Sequence, residues 1–198
     1  MSPEELGGFV CGRIDGAISE VTFGQVTIDV PPERWLEAAT LVRDDEAVAG
    51  GFFDWLSAYD GGAGPDSDAG LAVVLHVWSH RHRHHLRLRT HVPRDGGRLP
   101  TLTGLWPGAN WHERETFEMF GVVFDGHPNL VPLLLPDGFE GHPLRKEFVL
   151  ASRVAKPWPG AKEPGESDHD TRAASPGRRR MLPPGVPDPA EWGPEAGT

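Results

Sequence analysis

The sequence predicts an α+β fold, in which a mixed or antiparallel sheet is packed by helices in a two-layer body. Residues 71–78 are apolar on both alternating faces, and residues 84–92 alternate between apolar and cationic side chains, as two paired strands do. Residues 33–43 carry apolar side chains at the spacing of one helix face. Residues 110–120 begin and end with residues that cap helices.

Charge and composition divide the chain of 198 residues into two parts. Residues 1–150 carry 12 basic and 22 acidic side chains, which accounts for the whole net charge of −10. Residues 151–198 carry seven of each, together with nine of the 20 prolines and six of the 25 glycines. We therefore predict a folded domain over residues 1–150 and an extended Pro/Gly-rich tail over residues 151–198.

The first predicted strand covers residues 21–30, where valine and isoleucine alternate with polar residues. Pro31 and Pro32 end this strand and begin a helix over residues 33–43, because proline is tolerated where a helix amide would have no partner. The predicted apolar stripe of this helix is Trp35, Leu36, Ala39 and Val42.

Three further segments complete the predicted sheet. Residues 52–59 are rich in aromatic side chains and form a strand, whereas residues 60–70 have the composition of a loop. Residues 71–78 and 84–92 form an antiparallel hairpin, joined by the five residues 79–83. The second strand of this hairpin has a buried face and a cationic face, the latter formed by His85, Arg87, Arg89 and His91.

A second helix is predicted over residues 110–120. Asn110 is suited to the N-cap position, and Glu113 follows three residues later as in a capping box. The helix ends at about Phe120, because Gly121 can adopt the left-handed conformation that terminates helices.

The charges of this helix allow two interpretations. Glu113, Glu115 and Glu118 are carboxylates that could act as general acids or bases if they are buried. The favoured interpretation is structural: Glu113 caps the helix, and Arg114 forms an ion pair with Glu118 one turn later.

The histidines raise the hypothesis of a stand-alone metal enzyme. Four of them lie together in the hairpin: His80, His82, His84 and His85. The neighbouring arginines disfavour a dication, and the hairpin supplies no carboxylate to orient the ligands, so a solvated or partner-facing hairpin is favoured. His112 and Glu113 begin the zinc-protease pattern HExxH, but Thr116 occupies the place of the second histidine.

Several other classes of protein are excluded or disfavoured. The single cysteine, Cys11, permits neither an internal disulfide nor a cysteine-based zinc or iron–sulfur site. Gly-rich nucleotide-binding motifs and the GxSxG nucleophile motif do not occur. The amino terminus does not resemble a secretory signal, and the apolar runs are too short for membrane helices. The sequence thus predicts a protein of the reducing cytoplasm without an active site of its own.

Residues 71–100 form a basic band, with six basic side chains and one acidic side chain. An RNA-binding hairpin is one interpretation of this band. The net charge of −10 argues against it, because nucleic-acid-binding domains carry an excess of positive charge. The favoured interpretation is a surface that matches a protein partner.

Residues 106–148 closely resemble the signature of the C-type subunit of NADH–quinone oxidoreductase, a family of peripheral-arm subunits of bacterial respiratory complex I. The family usually has aspartate at the position of Glu118. A weaker resemblance extends over about residues 20–100. The motif residues proposed for a subunit interface are Glu113, Arg114, Glu115, His127, Pro128, His142, Pro143, Leu144, Arg145 and Lys146.

The resemblance implies a structural subunit of the quinone-reducing module, with no catalytic, cofactor-binding or metal-binding residues of its own. Electrons would pass from NADH through FMN and Fe–S clusters in partner subunits to quinone, coupled to proton translocation. The implied neighbours are the D-type, B-type and I-type subunits, on the cytoplasmic side of the plasma membrane, with neither nucleic acid binding nor direct membrane insertion. The alternative is the equivalent subunit of a membrane-bound hydrogenase or of a dehydrogenase that uses another electron donor.

The segment GHPLRK is expected to extend towards a partner. Pro143 favours an extended preceding residue, so Arg145 and Lys146 are predicted to project from an ordered segment. Arg145 could then bind a carboxylate of another subunit in bidentate fashion. The alternative is that these charges only stabilise the subunit's own fold.

Overall fold

A computed structural model of the chain describes residues 1–61 and 70–149. The predicted tail over 151–198 and most of the predicted loop over 60–70 lie outside the described residues. The elements are, in chain order, α1 (Pro3–Cys11), β1 (Ile18–Thr22), β2 (Gln25–Asp29), α2 (Trp35–Asp44), β3 (Phe52–Asp60), β4 (Leu71–Ser79), β5 (His84–Val92), β6 (Arg98–Pro100), α3 (Ala109–Phe120) and β7 (Val123–Asp125).

Five strands form one mixed sheet in the order β1-β2-β5-β4-β3. All neighbours are antiparallel except β2 and β5, which run parallel with Val26 opposite Leu86. Strands β6 and β7 form a separate parallel pair. Three helices pack with the five-stranded sheet, which confirms the predicted α+β class.

The helices α1 and α2 bury one face of the sheet. Gly7 of α1 lies so close to β1 that an added Cβ would stand 2.8 Å from the Cβ of Ser19. The buried side chains of α2 are Trp35, Ala38, Ala39 and Val42. Leu36 is 41% exposed, so its placement in the apolar stripe was wrong. Ala38 takes its place, because the buried side chains recur at helical spacing from Trp35.

Residues 21–30 contain the end of β1, a tight turn and β2, so the predicted strand is correct over residues 25–29 but wrong in running unbroken from residue 21. Strands β1 and β2 pair antiparallel, with Val21 opposite Val26. Phe23 and Gly24 form the turn with φ of +53° and +74°. Both central residues of such a turn need a positive φ, which glycine and asparagine adopt readily and phenylalanine does not.

Helix α1 was not predicted, although the sequence carries its start signal. The side chain of Ser2 accepts a hydrogen bond from the Glu5 amide, and Glu5 accepts one from the Ser2 amide, 2.8 Å away. This reciprocal capping box and Pro3 in the first turn begin the helix. Leu6, Gly7 and Val10 form its buried side.

The predicted hairpin of β4 and β5 is confirmed, with Leu75 opposite Leu88. Strand β3 pairs with β4 and forms one edge of the sheet. Helix α3 lies along this edge, where the Nδ1 atom of His112 stands 3.0 Å from the Leu56 carbonyl oxygen. The helix therefore covers a backbone edge that would otherwise invite another strand.

Helix α3 ends at Gly121, as predicted, with φ of +79°. It begins at Ala109 after Gly108, and no side chain caps it. The assignment of Asn110 as N-cap was therefore wrong, and so was the capping role of Glu113. The Glu113 carboxylate instead binds the segment between β6 and α3.

Candidate functional site

Glu113 is fully buried and binds the segment that precedes α3. Its Oε1 atom accepts a hydrogen bond of 2.6 Å from the Leu102 amide, and its Oε2 atom accepts one from the Thr101 hydroxyl. Burial raises the pKa of Glu113 to about 7, although the two hydrogen bonds act in the opposite direction and lower it. The carboxylate thus fixes α3 to the loop after β6.

The side chain of His127, from the first GHP segment, is buried beside Glu113. Its Nε2–H donates to the Asn110 carbonyl oxygen at 3.1 Å, and its Nδ1 accepts from the Asn129 amide at 3.0 Å. The Nε2 atom lies 4.0 Å from Oε2 of Glu113. His127 therefore connects α3 to the loop that follows β7, whereas Pro128 is exposed.

We predict that Glu113 makes the stability of the chain fall as pH rises. Its pKa is higher in the folded state than in the unfolded chain, so its contribution is fully present below about pH 4.5 and is lost as pH passes through about 7. Urea titrations at pH 5 and pH 8 should differ by about 2 kcal/mol through this group. Glu113→Gln should remove that difference and Glu115→Gln should keep it; an unchanged pH dependence in Glu113→Gln would contradict the prediction.

Glu118 binds three successive backbone amides of residues 131–135, which we call the held loop. The carboxylate accepts hydrogen bonds from Leu133 at 2.8 Å, Leu134 at 2.9 Å and Leu135 at 3.2 Å. Glu118 itself is almost completely buried. One side chain therefore determines the path of three loop residues.

Arg114 holds the beginning of the same loop. Its Nε and Nη2 atoms each donate a hydrogen bond of 3.0 Å, to the carbonyl oxygens of Val131 and Pro132. The guanidinium also lies 5.9 Å from the centre of the Trp111 ring. The predicted ion pair between Arg114 and Glu118 was wrong, because each side chain binds backbone of the held loop instead.

The second GHP segment caps the carboxyl end of α3, where four carbonyl groups have no partner within the helix. The Phe117 carbonyl accepts from the Gly121 amide. The other three carbonyls accept from residues 142–145: Glu118 from His142 Nδ1 at 2.8 Å, Met119 from the Leu144 amide at 3.2 Å, and Phe120 from Arg145 Nε at 2.7 Å. Each of the four carbonyls thus has a partner.

Arg145 does not project from the body, and that prediction was wrong. Its side chain is 12% exposed, and it also donates to the Arg94 carbonyl oxygen at 2.7 Å and to Asp95 at 3.1 Å. Lys146 contributes its backbone amide, which donates to Asp60 at 2.9 Å, while the residue itself is exposed. Pro143 is half-buried.

Large apolar side chains are exposed around α3, although the backbone beneath them is well bound. Trp111 is 62% exposed and Leu134 is 63% exposed. Val131 and Leu144 are also exposed. Glu115 is half-buried and has no hydrogen bond or ion pair within residues 1–61 and 70–149. Exposed apolar side chains on an ordered loop, next to the unpaired Glu115 carboxylate, are typical of a protein interface.

Residues 28–154 match the model of the respiratory-chain NADH dehydrogenase, 30 Kd subunit family. The chain is a member of this 30 Kd subunit family. The matched residues include all of α3, the held loop and both GHP segments.

Bacterial relatives of this 30 Kd family member bear the name of the C subunit of NADH-quinone oxidoreductase. The relative from Roseiflexus castenholzii is 43% identical over 150 residues, which are 72% of this chain and 84% of the relative. The relative from Azorhizobium caulinodans is 35% identical over 153 residues, which are 76% of this chain and 71% of the relative.

Two solved structures are similar to the 30 Kd family fold seen here. A trypsin-resistant fragment (1-134) of Nqo5 is 30% identical with a TM-score of 0.56, and the match covers 66% of this chain and all of the fragment. A chain of the membrane-bound sulfane sulfur reductase, an archaeal respiratory membrane complex, has a TM-score of 0.62 at 21% identity. That match covers 80% of this chain and 96% of the other, and it concerns the fold alone.

Two of the four hairpin histidines of this family member bind backbone. His82 and His84 bind the carbonyl oxygens of Glu46 and Val48 through Nε2, at 2.7 and 2.8 Å. Across residues 1–61 and 70–149, no group of three histidine, cysteine or acidic residues is arranged to hold a metal ion. In the same described portion, no helix combines the length and apolarity that a membrane span requires.

Proposed function

We propose that the chain is a structural subunit of the quinone-reducing module of a proton-translocating NADH–quinone oxidoreductase. Membership in the 30 Kd subunit family and the identity of 35–43% to proteins named as the C subunit of that enzyme support this proposal. The chain would hold subunits together, and the redox chemistry would take place in its partners.

The observation that carries the proposal is the construction of the segment around α3. Glu118 and Arg114 use charge-assisted hydrogen bonds, which are stronger than neutral ones, to hold the loop at residues 131–135. The loop presents Val131 and Leu134 to solvent rather than to the core. A partner would meet an apolar surface that is already ordered, so binding would cost little conformational entropy.

The motif surface, as we define it, comprises Trp111, Glu115, Val131, Leu134 and Leu144. We propose that it faces another subunit of the complex, with D-type, B-type and I-type subunits as the neighbours. Of the motif residues, Glu113, His127, His142 and Arg145 would act indirectly, because their side chains hold the surface in place.

The remaining features of the proposal concern the whole assembly. FMN and Fe–S clusters would reside in partner subunits, and this chain would have no active site of its own. The complex would place the chain peripherally on the cytoplasmic side of the plasma membrane. Residues 1–150 would form the subunit domain, and residues 151–198 would pack along partner subunits.

A second candidate is the equivalent subunit of a related membrane complex with another electron donor. This candidate is supported by the fold similarity to a chain of the archaeal sulfane sulfur reductase complex. The relatives named for NADH-quinone oxidoreductase are closer in sequence, at 35–43% against 21% identity, which favours the first candidate.

Affinity purification from native membranes tests the proposed function. A tag on this chain should recover the other subunits of the complex together with NADH–quinone oxidoreductase activity. Recovery with a hydrogenase or another dehydrogenase, lacking NADH oxidation, would support the second candidate. Recovery of the chain alone would contradict both.

The motif surface makes a specific prediction for Leu134→Asp. Glu118 binds the backbone amide of Leu134 and not its side chain. The substitution should therefore leave the fold intact and place a charge on the surface. We expect incorporation into the membrane complex to fall at least about tenfold, since 1.4 kcal/mol of lost binding has that effect. The matched control is Ile18→Asp, at a 70% exposed position on β1, which should assemble normally. Equal assembly of both variants would argue against the motif surface.

A further inference from the structure

A second, partly exposed surface lies on the face of the sheet opposite α1 and α2. We call it the outer face and define it by five residues of β3, β4 and β5: Trp55, His76, Trp78, His85 and Arg87. Their strand neighbours Leu75, Val77, Leu86 and Leu88 are buried in the core, and side chains alternate between the two faces of a strand. Helices α1 and α2 pack on the core face; on the outer face Trp78 is exposed, Trp55, His85 and Arg87 are partly exposed, and His76 is buried.

The rings of the outer face form an ordered platform. Trp78 and His85 stack with centres 4.5 Å apart and planes inclined by 11°, and Trp55 stacks with His76 at 5.8 Å. His76 Nδ1 donates to the Asp54 carboxylate at 2.6 Å, and His76 Nε2 lies 2.8 Å from His85 Nδ1. These hydrogen bonds fix the imidazoles, while Trp78 remains 39% exposed.

Arg87 has no carboxylate partner among the described residues, unlike Arg89 and Arg94, the next two arginines along the chain. Arg89 is paired with Asp29 through two hydrogen bonds of 2.5 and 2.7 Å, and Arg94 is paired with Asp60 at 2.6 Å. Arg87 has no hydrogen bond or ion pair with a described residue, and its Nε atom is buried without an acceptor.

A buried donor on a charged group costs free energy when it has no acceptor. We therefore expect Arg87 to bind an acceptor from another molecule. Arg87 sits at the centre of the sheet, between His76 on β4 and Thr27 on β2. Trp78 lies on the same strand face as His76, the residue opposite Arg87, so a segment that binds Arg87 would also meet Trp78. Guanidinium and carboxylate groups match in bidentate geometry, and aromatic residues are enriched at interfaces.

We propose that the outer face is a second protein-interaction surface, which binds a segment of another subunit that places an aspartate or glutamate on Arg87 and an apolar side chain against Trp78. This inference rests on the proposed function, since the partner belongs to the same complex. A single protein carboxylate fits better than a nucleic acid, because Asp29 and Asp54 already bind Arg89 and His76, and a polyanion would need several unpaired cations rather than Arg87 alone.

Arg87→Glu tests the proposal in the assembled complex. The variant is expressed in place of the wild-type chain, and the complex is purified through a tag on a different subunit. We expect at least about a tenfold loss of the variant chain from the complex, and a smaller loss for Arg87→Ala. The matched control is Arg81→Glu, the same charge change at an exposed position of the β4–β5 turn that has no partner among the described residues.

The outcomes separate this inference from the proposed function. Absence of the wild-type chain from the complex would overturn the proposed function. Presence of the wild-type chain together with normal incorporation of Arg87→Glu would overturn only the role of the outer face. Thermal melting of each purified chain, followed by circular dichroism, identifies a variant that fails to fold.

Photo-cross-linking keeps the proposal testable if Arg87→Glu does not fold. A benzophenone amino acid at position 78 is irradiated in the purified complex, and the linked peptide is identified by mass spectrometry. We expect a peptide of another subunit that contains aspartate or glutamate. Linkage to residues 150–198 of this chain, linkage to a second copy of the chain, or no linkage would each overturn the proposal.

Discussion

Arg145→Glu is expected to lower the free energy of unfolding by about 4 kcal/mol, the loss typical of breaking a buried charge interaction. The new carboxylate would lie where Arg145 now donates to the carbonyl oxygens of Phe120 and Arg94. Those carbonyls would lose their donor and face a negative charge. Urea unfolding of the full-length chain measures the change.

Lys146→Glu is the matched control for this substitution. Only the backbone amide of Lys146 binds Asp60, and that bond survives the change. Its stability should therefore stay within about 0.5 kcal/mol of the wild type. If Arg145→Glu were equally stable but failed to join the complex, Arg145 would act at the interface, as the sequence first suggested.

Glu118→Ala is expected to cost about 3 kcal/mol, because three backbone amides lose a charged acceptor and water replaces it only in part. The held loop should become susceptible to proteolysis between residues 131 and 135 while the sheet remains folded. Limited proteolysis with mass spectrometry and urea unfolding together measure these two effects.

Glu118→Asp provides a graded comparison. Its carboxylate is shorter by one methylene and should retain part of the stability and protection. Glu115→Ala, on the same helix and without a partner among the described residues, should change neither. Intact protection of the loop in Glu118→Ala would show that Arg114 alone is sufficient to hold it.

Local patterns in the sequence were enough to predict much of the fold. The β4–β5 hairpin follows from side-chain alternation, and the end of α3 follows from Gly121. The turn at Phe23 was not predicted, because the positive φ of this residue is imposed by the pairing of β1 with β2 rather than by its own preference. Leu36 was misplaced because its apolar character suited the stripe, but successive residues of a helix point about 100° apart and the buried side follows Trp35, Ala38 and Val42.

The site was less predictable than the fold. The family resemblance identified the motif residues, but Glu113 and Glu118 bind segments 11 to 17 positions away, and helix spacing carries no information about such contacts. The role of Arg145 was misjudged for the same reason. A charge that caps a neighbouring helix and a charge that meets a partner look alike in a sequence.

The two bound segments after α3 have a consequence for the evolution of chain length. Residues 131–135 are bound to the helix through their backbone, and residues 142–145 through the Leu144 amide and the His142 and Arg145 side chains, so an inserted residue would break their register. Asp137, Gly138 and Glu140 are exposed and lie between them. Insertions and deletions should therefore be confined to residues 137–140, where the chain can lengthen without moving either segment.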